Sequence, residues 1–356
     1  MKTLNAAVIL VVVLLSVPVW AAEKTETKDP AKLIPPIQLG KRLTLKLWGF
    51  SQAQMTLTEA TTTTAEEELW KWTNLRLNAN LDGQRFGLGA VLNLTDLQSN
   101  TDGNWLRELY GQVKLTDSFK LRAGRLLLST GNGNALPGPF RWETAAYPKS
   151  FPFGQYGTGL QALWNYGGWS AIADVTGNSS VPFDDPKSLQ DLECSARLKR
   201  TFRDQERELG YLAGSVQLAK EVCRFGFDGQ WQPVKPLTLR GGIFYSDYDS
   251  QKHSDRLGGF VLAAFRPILF LEIHTMLDET ADLPKEYQEL QKQKDKAGNI
   301  AYQRQTLRTS DATAITWTNG LRLIGQDDHW AVTLDYEAVL EGQQPNRVLV
   351  RAQIRF

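Results

Sequence analysis

Cysteine and histidine are scarce in this chain of 356 residues, and their scarcity excludes two common ways of stabilising a fold. The only cysteines are Cys194 and Cys223, and two thiols cannot build a disulfide framework. The three histidines, His253, His274 and His329, are scattered without the spacing of metal ligands. We therefore expect neither a disulfide scaffold nor a metal-centred fold, and we expect no cofactor.

An excess of either charge and a long internal apolar run are also missing. Lys and Arg number 40 and Asp and Glu 39, so no strongly basic face indicates nucleic acid as a partner. After the N-terminus, charged residues interrupt every apolar stretch, which excludes a spanning helix of roughly 20 apolar residues.

The longest apolar region stands at the N-terminus. Lys2 precedes a largely apolar run over 6–19, and the small residues Ala21 and Ala22 follow it. This arrangement is typical of a secretory signal peptide, and the run is too short for a membrane anchor, which is the alternative. We predict three segments: a signal peptide (1–21), a periplasmic lead-in (22–41) and one domain (42–356).

From residue 42 onward, apolar and polar residues alternate. The segment 75–82 reads LRLNANLD, which gives a strand one apolar and one polar face. The pattern recurs in about sixteen segments, an even number of the kind that bacterial barrels show. These lie near 42–57, 75–82, 86–94, 109–115, 119–128, 158–165, 169–176, 190–200, 209–218, 222–231, 237–246, 257–265, 269–278, 313–323, 330–340 and 347–356.

The connections between these segments alternate in length. Short links, such as 82–85, 116–118 and 166–168, alternate with longer polar links, such as 58–69 and 279–312. Tight turns at one rim and long loops at the other are typical of outer-membrane barrels. The strand count is least certain over 190–231, because the link near 201–206 is rather long and the link 219–221 is short.

A soluble β-sandwich also alternates, but its apolar faces meet each other and its polar faces meet water. Here the strands are mostly about 9–11 residues long, enough to cross a bilayer at a tilt, and their polar faces suit a wet lumen. An open sheet edge is not tolerated in lipid, so the sheet must close. We predict an all-β fold, a transmembrane antiparallel β-barrel. Tryptophans near strand ends fit interfacial girdles: Trp105, Trp164, Trp169, Trp231 and Trp330.

The last ten residues, RVLVRAQIRF, form the most specific local signal. They alternate with Phe356 on the apolar phase, and Arg347, Arg351 and Arg355 on the polar phase. The segment resembles the C-terminal strand of outer-membrane proteins, whose terminal aromatic residue is read by the barrel assembly machinery. It implies a bacterial outer membrane as the location, with membrane lipid and that machinery as partners.

The segment 106–125, LRELYGQVKLTDSFKLRAGR, resembles a hairpin of general bacterial porins and of the phosphate-selective porin O/P-like group. In those porins the return strand leads into a long third loop that folds into the channel, and 130–157 is the matching loop. The resemblance implies a channel for passive diffusion of small hydrophilic solutes or ions, and a homotrimer that no sequence feature establishes. The only basic residues of the loop are Arg141 and Lys149, so phosphate selectivity is not implied.

The phases of the strands predict which charges face the lumen. A slight basic excess predicts a weak preference for anions, while the alternative is that most of these charges pair on a wetted wall. We expect the narrowest part of the pore at Lys120, Arg122 and Arg125, with Arg141 and Glu143 of the loop. The expected luminal charges are Lys46, Arg76, Lys114, Lys120, Arg122, Arg197, Lys199, Arg224, Arg240, Arg322, Arg351 and Arg355, against Asp82, Glu108, Asp174, Glu193, Asp228, Glu272, Asp278, Asp335 and Glu337.

Two other functions compete with a pore. A barrel enzyme needs a nucleophile and a base, and His274 shares its face with Glu272 and Asp278, but no serine is presented to it, so we expect no enzyme. The alternative is a scaffold that sheathes a partner, such as a multihaem cytochrome of an electron conduit. The chain has no CxxCH motif, so the haem would belong to the partner. An inward-folded third loop distinguishes the pore from the scaffold.

The cysteines test the predicted strand order. Cys194 and Cys223 both take the apolar phase, on two strands that are separated by one other strand. Such positions are too far apart for the Cα separation that a disulfide requires. We predict two free thiols.

Overall fold

The computed structural model describes residues 35–40, 42–58, 70–94, 106–128, 156–177, 192–205, 207–220, 222–249, 254–283, 286–294, 300–308, 312–325, 330–342 and 345–355. The signal peptide, most of the lead-in, Arg141, Glu143 and Phe356 lie outside these ranges. The predictions made for those residues therefore stay predictions.

Every regular element within the described ranges is a β-strand. No helix there is long and apolar enough to cross a membrane. The strands are β1 (Ile37–Gln38), β2 (Thr44–Thr58), β3 (Trp70–Asp82), β4 (Phe86–Asn93), β5 (Leu106–Lys114), β6 (Phe119–Leu127), β7 (Tyr156–Tyr166), β8 (Trp169–Thr176), β9 (Glu193–Asp204), β10 (Arg207–Leu218), β11 (Val222–Val234), β12 (Leu237–Tyr248), β13 (Asp255–Ile268), β14 (Leu271–Leu283), β15 (Glu286–Lys294), β16 (Ile300–Arg308), β17 (Thr313–Ile324), β18 (Trp330–Glu341) and β19 (Arg347–Arg355).

Sixteen of these strands, β2–β14 and β17–β19, form one closed antiparallel barrel. Each pairs with its neighbour in the chain, and β14 pairs with β17 across the intervening segment. The last strand closes on the first, with Arg347 opposite Thr58 and Ile354 opposite Ser51. The prediction of a closed barrel of about sixteen strands is confirmed, and closure leaves the barrel itself without an open sheet edge.

The barrel strands correspond one to one with the sixteen predicted segments. The uncertain region resolves because β9 continues to Asp204 and β10 begins at Arg207, so their turn is tight and contains Gln205 in a left-handed conformation (φ 54°). The prediction of a long polar link over 279–312 was wrong in one respect, because this segment contains a hairpin of its own. There β15 pairs with β16 in a separate two-stranded sheet, from Glu286–Arg308 to Lys294–Ile300.

The barrel is inverted relative to a water-soluble protein. Large apolar side chains cover the outer face, where Phe86 is 70% exposed and Val261 65%, while Asp228 and Asp335 on the inner face are fully buried. The alternation of the sequence produces this arrangement, because successive side chains point to opposite faces of a strand. An exposed apolar belt is stable against hydrocarbon but not against water, so the outer face is a lipid-facing surface.

The two rims differ as predicted. The links β3–β4, β5–β6, β7–β8, β9–β10, β11–β12, β13–β14 and β17–β18 lie at one rim, which also holds the start of β2 and the end of β19. We call it the short-turn rim; in bacterial barrels this side faces the periplasm. The predicted girdle residues Trp164, Trp169, Trp231 and Trp330 are exposed on the outer face next to it, and Trp105 lies outside the described ranges.

The two cysteines are free, as predicted. Cys194 on β9 and Cys223 on β11 are both register partners of Leu218 on β10, one on each side. Two inter-strand spacings of about 4.8 Å separate them, which exceeds the Cα distance of a disulfide. The predicted strand order around the two thiols is therefore confirmed.

Candidate functional site

Polar side chains line the inner wall over β5–β9 and contact one another in sequence. The Arg122 guanidinium on β6 donates to Gln112 Oε1 on β5 at 3.0 Å and to Gln161 Oε1 on β7 at 3.3 Å. Gln161 Nε2 donates to Asp174 Oδ1 on β8 at 2.7 Å, and Ser195 Oγ on β9 donates to Asp174 Oδ2 at 2.6 Å. The chain of contacts fixes the orientation of Arg122 along the luminal wall.

The guanidinium of Arg122 packs against an aromatic ring. Tyr110 on β5 is the register partner of Gly89 on β4, and its ring occupies the space that a Gly89 side chain would fill, since a Cβ there would lie 2.4 Å from Tyr110 Cζ. The Arg122 guanidinium carbon stands 4.5 Å from the centre of that ring, a cation–π distance. The absence of a side chain at Gly89 therefore leaves room for the Tyr110 ring that contacts Arg122.

The far ends of β6 and β7 bend into the lumen. Gln161 is the register partner of Arg122, yet its Nε2 also donates to the carbonyl of Leu127 at 3.2 Å. In a straight strand Leu127 would lie about 16 Å along β6 from residue 122, at about 3.3 Å per residue. The contact therefore requires the strand end to turn inward, over the luminal side chain of Gln161.

Two facing glycines permit the bend. Gly124 on β6 and Gly159 on β7 are register partners, and Gly124 has a φ of 137°. A Cβ on Gly124 would lie 2.1 Å from the carbonyl oxygen of Leu109, and one on Gly159 would lie 2.0 Å from that of Val175. Only a residue without a side chain fits this backbone at both positions.

The structure brings two of the predicted constriction residues onto one face. Lys120 and Arg122 both face the lumen, with Lys120 close to the short-turn rim and Arg122 one step deeper. Arg125 is buried, and it pairs in register with Leu109 and Thr158, but it follows the bend at Gly124, so its strand face does not follow from its spacing to Arg122. Arg141 and Glu143 lie outside the described ranges.

Lys120 has a like-charged partner. Its register partner on β5 is Lys114, so the two ammonium-bearing side chains stand opposite each other on the luminal face. Like charges in directly opposed positions destabilise a sheet. Neither lysine, nor Arg122, lies within ion-pair distance of a carboxylate among the residues that the structure describes.

Elsewhere on the inner wall several charges form ion pairs. Arg197 on β9 donates through both terminal nitrogens to the carboxylate of Asp228 on β11, at 2.6 and 2.8 Å, and both side chains are almost completely buried. The pair crosses the intervening strand β10 above Ala213 and Ser215, whose small side chains leave room. A buried charge of this kind requires its partner.

A second buried pair lies further round the barrel, across β17. His274 Nε2 on β14 lies 2.7 Å from Asp335 Oδ1 on β18, and both side chains are inaccessible to solvent. Glu272, which the sequence placed on the same strand face as His274, accepts from Arg322 at 3.0 Å. The spacing of residues along one strand could not indicate the contact between His274 and Asp335, because the partner of His274 lies on another strand.

The luminal phases assigned from the sequence are confirmed for the described side chains. Arg347 donates to Glu337 at 2.5 Å, Lys46 to Asp82 at 2.9 Å, and Arg240 to Gln230 at 2.7 Å, all on the inner face. The alternative of a paired wall therefore holds for part of the luminal charges. Among the described residues, Arg76, Lys199 and Arg240, like Lys114, Lys120 and Arg122, have no carboxylate within ion-pair distance.

The inner face also has an apolar cluster. Over β12–β14 the luminal side chains include five buried apolar residues that contact one another: Phe244, Phe260, Leu262, Ala264 and Met276. Apolar residues occupy both phases of β13, so alternation alone did not distinguish its inner face. The inner wall thus has a partly apolar region over β12–β14, next to the polar side chains of β5–β11.

Known proteins match this chain in fold and not in sequence. No family model and no curated protein matches. A loop L8 deletion mutant of OmpT, an outer membrane protein of Vibrio cholerae, superimposes with a TM-score of 0.60 at 10% identity, over 89% of this chain and 100% of that one. OmpF of Salmonella typhi, solved with daunomycin, has a TM-score of 0.60 at 11% identity, over 90% and 100%.

The outer membrane channel DcaP of Acinetobacter baumannii matches with a TM-score of 0.53 at 11% identity, over 90% of this chain and 99% of that one. At these identities the likeness shows the fold: a porin-like barrel of the bacterial outer membrane, which is the predicted location. It does not show the phosphate-selective group that the segment 106–125 resembles.

Proposed function

We propose that this barrel is a porin: a water-filled channel through which small hydrophilic solutes or ions diffuse passively, with a weak preference for anions. The observation that carries the proposal is the inversion of the wall, with charged and amide side chains inside and an apolar belt outside. A closed sheet with this inversion separates lipid from a polar interior. The fold shared with outer-membrane channels supports the same conclusion.

The anion preference rests on three basic side chains. Lys114, Lys120 and Arg122 stand together on the luminal face, and among the described residues no carboxylate neutralises them by ion pairing, unlike Arg197, Arg322 and Arg347. Fixed charge that is not paired biases the permeating ion toward the opposite sign. The paired charges elsewhere wet the wall without adding to that bias.

We also propose that the pore narrows where β6 and β7 bend inward. The bend at Gly124 and Gly159 directs the two strand ends over Gln161, and the segment 129–155 joins them. In this proposal Arg141 and Glu143 join Lys120 and Arg122 at the constriction. Arg125, which is buried directly after the bend, stays part of this proposed constriction.

An enzymatic function is not favoured by the geometry around His274. Its side chain and that of Asp335 are both inaccessible to solvent, so the pair cannot reach a solute in the lumen. A general base must come within hydrogen-bond distance of the group that it deprotonates. We infer a structural role for this pair in the barrel wall.

The assembly that we propose is a homotrimer, folded into the membrane by the barrel assembly machinery. A structure of OmpT of Vibrio cholerae, with a TM-score of 0.56 and 10% identity to this chain, is described as a trimer form. Native mass spectrometry of the detergent-extracted protein measures the number of copies directly. A monomer in mild detergent and in reconstituted bilayers contradicts this part of the proposal.

Conductance of the purified protein in a planar bilayer tests the channel. We expect stepwise conductance, and in a KCl gradient a reversal potential of the sign that indicates chloride. Lys120→Gln shifts this potential toward zero, whereas Lys235→Gln, an exposed lysine at the short-turn rim, leaves it unchanged. Absence of conductance overturns the channel, and a potassium-selective wild-type protein overturns the anion preference.

A further inference from the structure

The lipid-facing surface contains a depression near the short-turn rim. It lies over the outer faces of β3–β7 and has a volume of about 640 Å³, within the range of ligand pockets, about 300–1,000 Å³. Its lining is almost wholly apolar. It begins at Leu43 and Phe86 beside the rim and reaches Ala123 and Leu160 further along the strands.

The depression exists because small residues face outward among large ones. Gly111 and Ala123, which are register partners on β5 and β6, form its floor, and Phe86, Leu88 and Leu160, each at least 58% exposed, stand around it. A Cβ on Gly111 would approach only Leu88 Cδ2, at 3.9 Å. The space is therefore open, and in a membrane the group that fills it is an apolar chain.

Two arginines mark the rim end of this depression. Arg42 directly precedes Leu43, and Arg85 directly precedes Phe86, and both arginines are exposed. The turn that carries Arg85 is fixed by a 2.7 Å hydrogen bond from the Lys114 amide to its carbonyl. The nearby carboxylate of Asp82 forms an ion pair with Lys46 at 2.9 Å. This pairing reduces its competition with a phosphate for the two arginines.

We propose that this surface binds an anionic phospholipid, with an acyl chain in the depression and the phosphate between Arg42 and Arg85. Guanidinium groups bind phosphate oxygens in a bidentate manner, and basic residues beside an apolar surface favour anionic lipid. The arginines stand at the rim, which is the depth of the headgroups, and the apolar lining extends from there into the hydrocarbon.

Charge distinguishes this occupant from a second copy of the chain. An interface between copies needs only the apolar depression, and it gives no reason for two exposed arginines at its rim end. An anionic phospholipid accounts for both features. Its phosphate lies at the depth of the arginines, and its acyl chain extends from there into the hydrocarbon, where the depression lies. Phosphate without the acyl chain leaves the depression unfilled.

Native mass spectrometry of the full-length mature protein tests the proposal, with phosphatidylglycerol or phosphatidylcholine of identical acyl chains added. We expect the wild type to retain phosphatidylglycerol more strongly, by about fivefold for each arginine, which corresponds to about 1 kcal/mol. Arg42→Ala/Arg85→Ala removes this preference. The control Arg203→Ala/Lys235→Ala removes two exposed charges from the same rim and keeps it.

A second pair of variants tests the depression. Gly111→Leu fills it and lowers the retention of both lipids, whereas Ala173→Leu, which adds bulk to an exposed outward position on β8, does not. Equal retention of the two lipids by the wild type overturns the proposal. So does a Gly111→Leu protein that keeps its lipid and changes its number of subunits, because that result assigns the surface to another copy. The arginine variants alter only exposed side chains, so they remain informative if Gly111→Leu fails to fold.

Discussion

His274 and Asp335 meet across a strand to which neither belongs. They lie on β14 and β18, and the residue between them on β17 is Gly320, the register partner of both. A Cβ on Gly320 would lie 1.8 Å from Asp335 Oδ1 and 2.4 Å from His274 Nε2. The two side chains can therefore meet only because residue 320 has no side chain. A similar arrangement occurs where Arg197 and Asp228 meet across β10, above the small side chains of Ala213 and Ser215.

Gly320→Ala is expected to destabilise the barrel by about 1–3 kcal/mol, the range for overpacking a filled site. The methyl group forces His274 and Asp335 apart and leaves two buried polar groups without each other. Urea titration of the protein folded in liposomes measures the change. In a His274→Ala/Asp335→Ala background the same substitution should cost much less, and an equal cost in both backgrounds contradicts this explanation.

The fold was predictable because its signal is local and repeated. A period of two is visible in every strand, for example in LRLNANLD over 75–82, and the tight turns after it set the antiparallel order. The hairpin β15–β16 was not predicted, since its sequences EYQELQKQK and IAYQRQTLR show no regular alternation of apolar and polar residues. The bend at Gly124 was not predicted either, so alternation does not fix the face of Arg125, which follows it.

The contacts within the lumen could not be predicted in the same way. His274 and Asp335 are 61 residues apart, and their approach depends on a register that closes through three strands and on one glycine. Alternation states that both residues face inward, but not which residues are neighbours around the wall. Gly320 and Gly89 gave no signal in the sequence, because a glycine on the luminal phase is also typical of a turn or a bulge.

Gly124→Ala is expected to prevent the inward bend of β6. The new Cβ meets the backbone of Leu109, which cannot move without breaking the sheet, and the positive φ adds strain of about 1–3 kcal/mol. We expect a lower urea midpoint and a changed single-channel conductance, because the strand ends no longer lie over Gln161. Gly111→Ala is the matched control, since it has open space and an extended backbone; an equal effect of both substitutions contradicts the prediction.

Cysteine cross-linking checks the register around β10. Cys194 and Cys223 stand about 10 Å apart, two inter-strand spacings, so an oxidant should leave both thiols free while a short bis-maleimide links them within one chain. Intact mass of the labelled protein reports both results. Leu218→Cys in a Cys194→Ala background places a thiol directly opposite Cys223 and should form a disulfide on oxidation. A disulfide between Cys194 and Cys223 in the wild type means that the two strands are neighbours.

Lys114→Glu should stabilise the barrel and weaken its selectivity together. Opposed like charges cost a sheet up to about 1 kcal/mol, and an opposite-charge pair with Lys120 recovers a similar amount. The same substitution neutralises the basic patch that biases the channel toward anions, so the reversal potential in a KCl gradient moves toward zero. Lys114→Arg keeps both properties of the wild type. Repulsion between the two lysines and attraction of an anion arise from the same unpaired charge. A Lys114→Glu protein that is less stable, or that keeps the full anion preference, therefore shows that this pair is not the source of the bias.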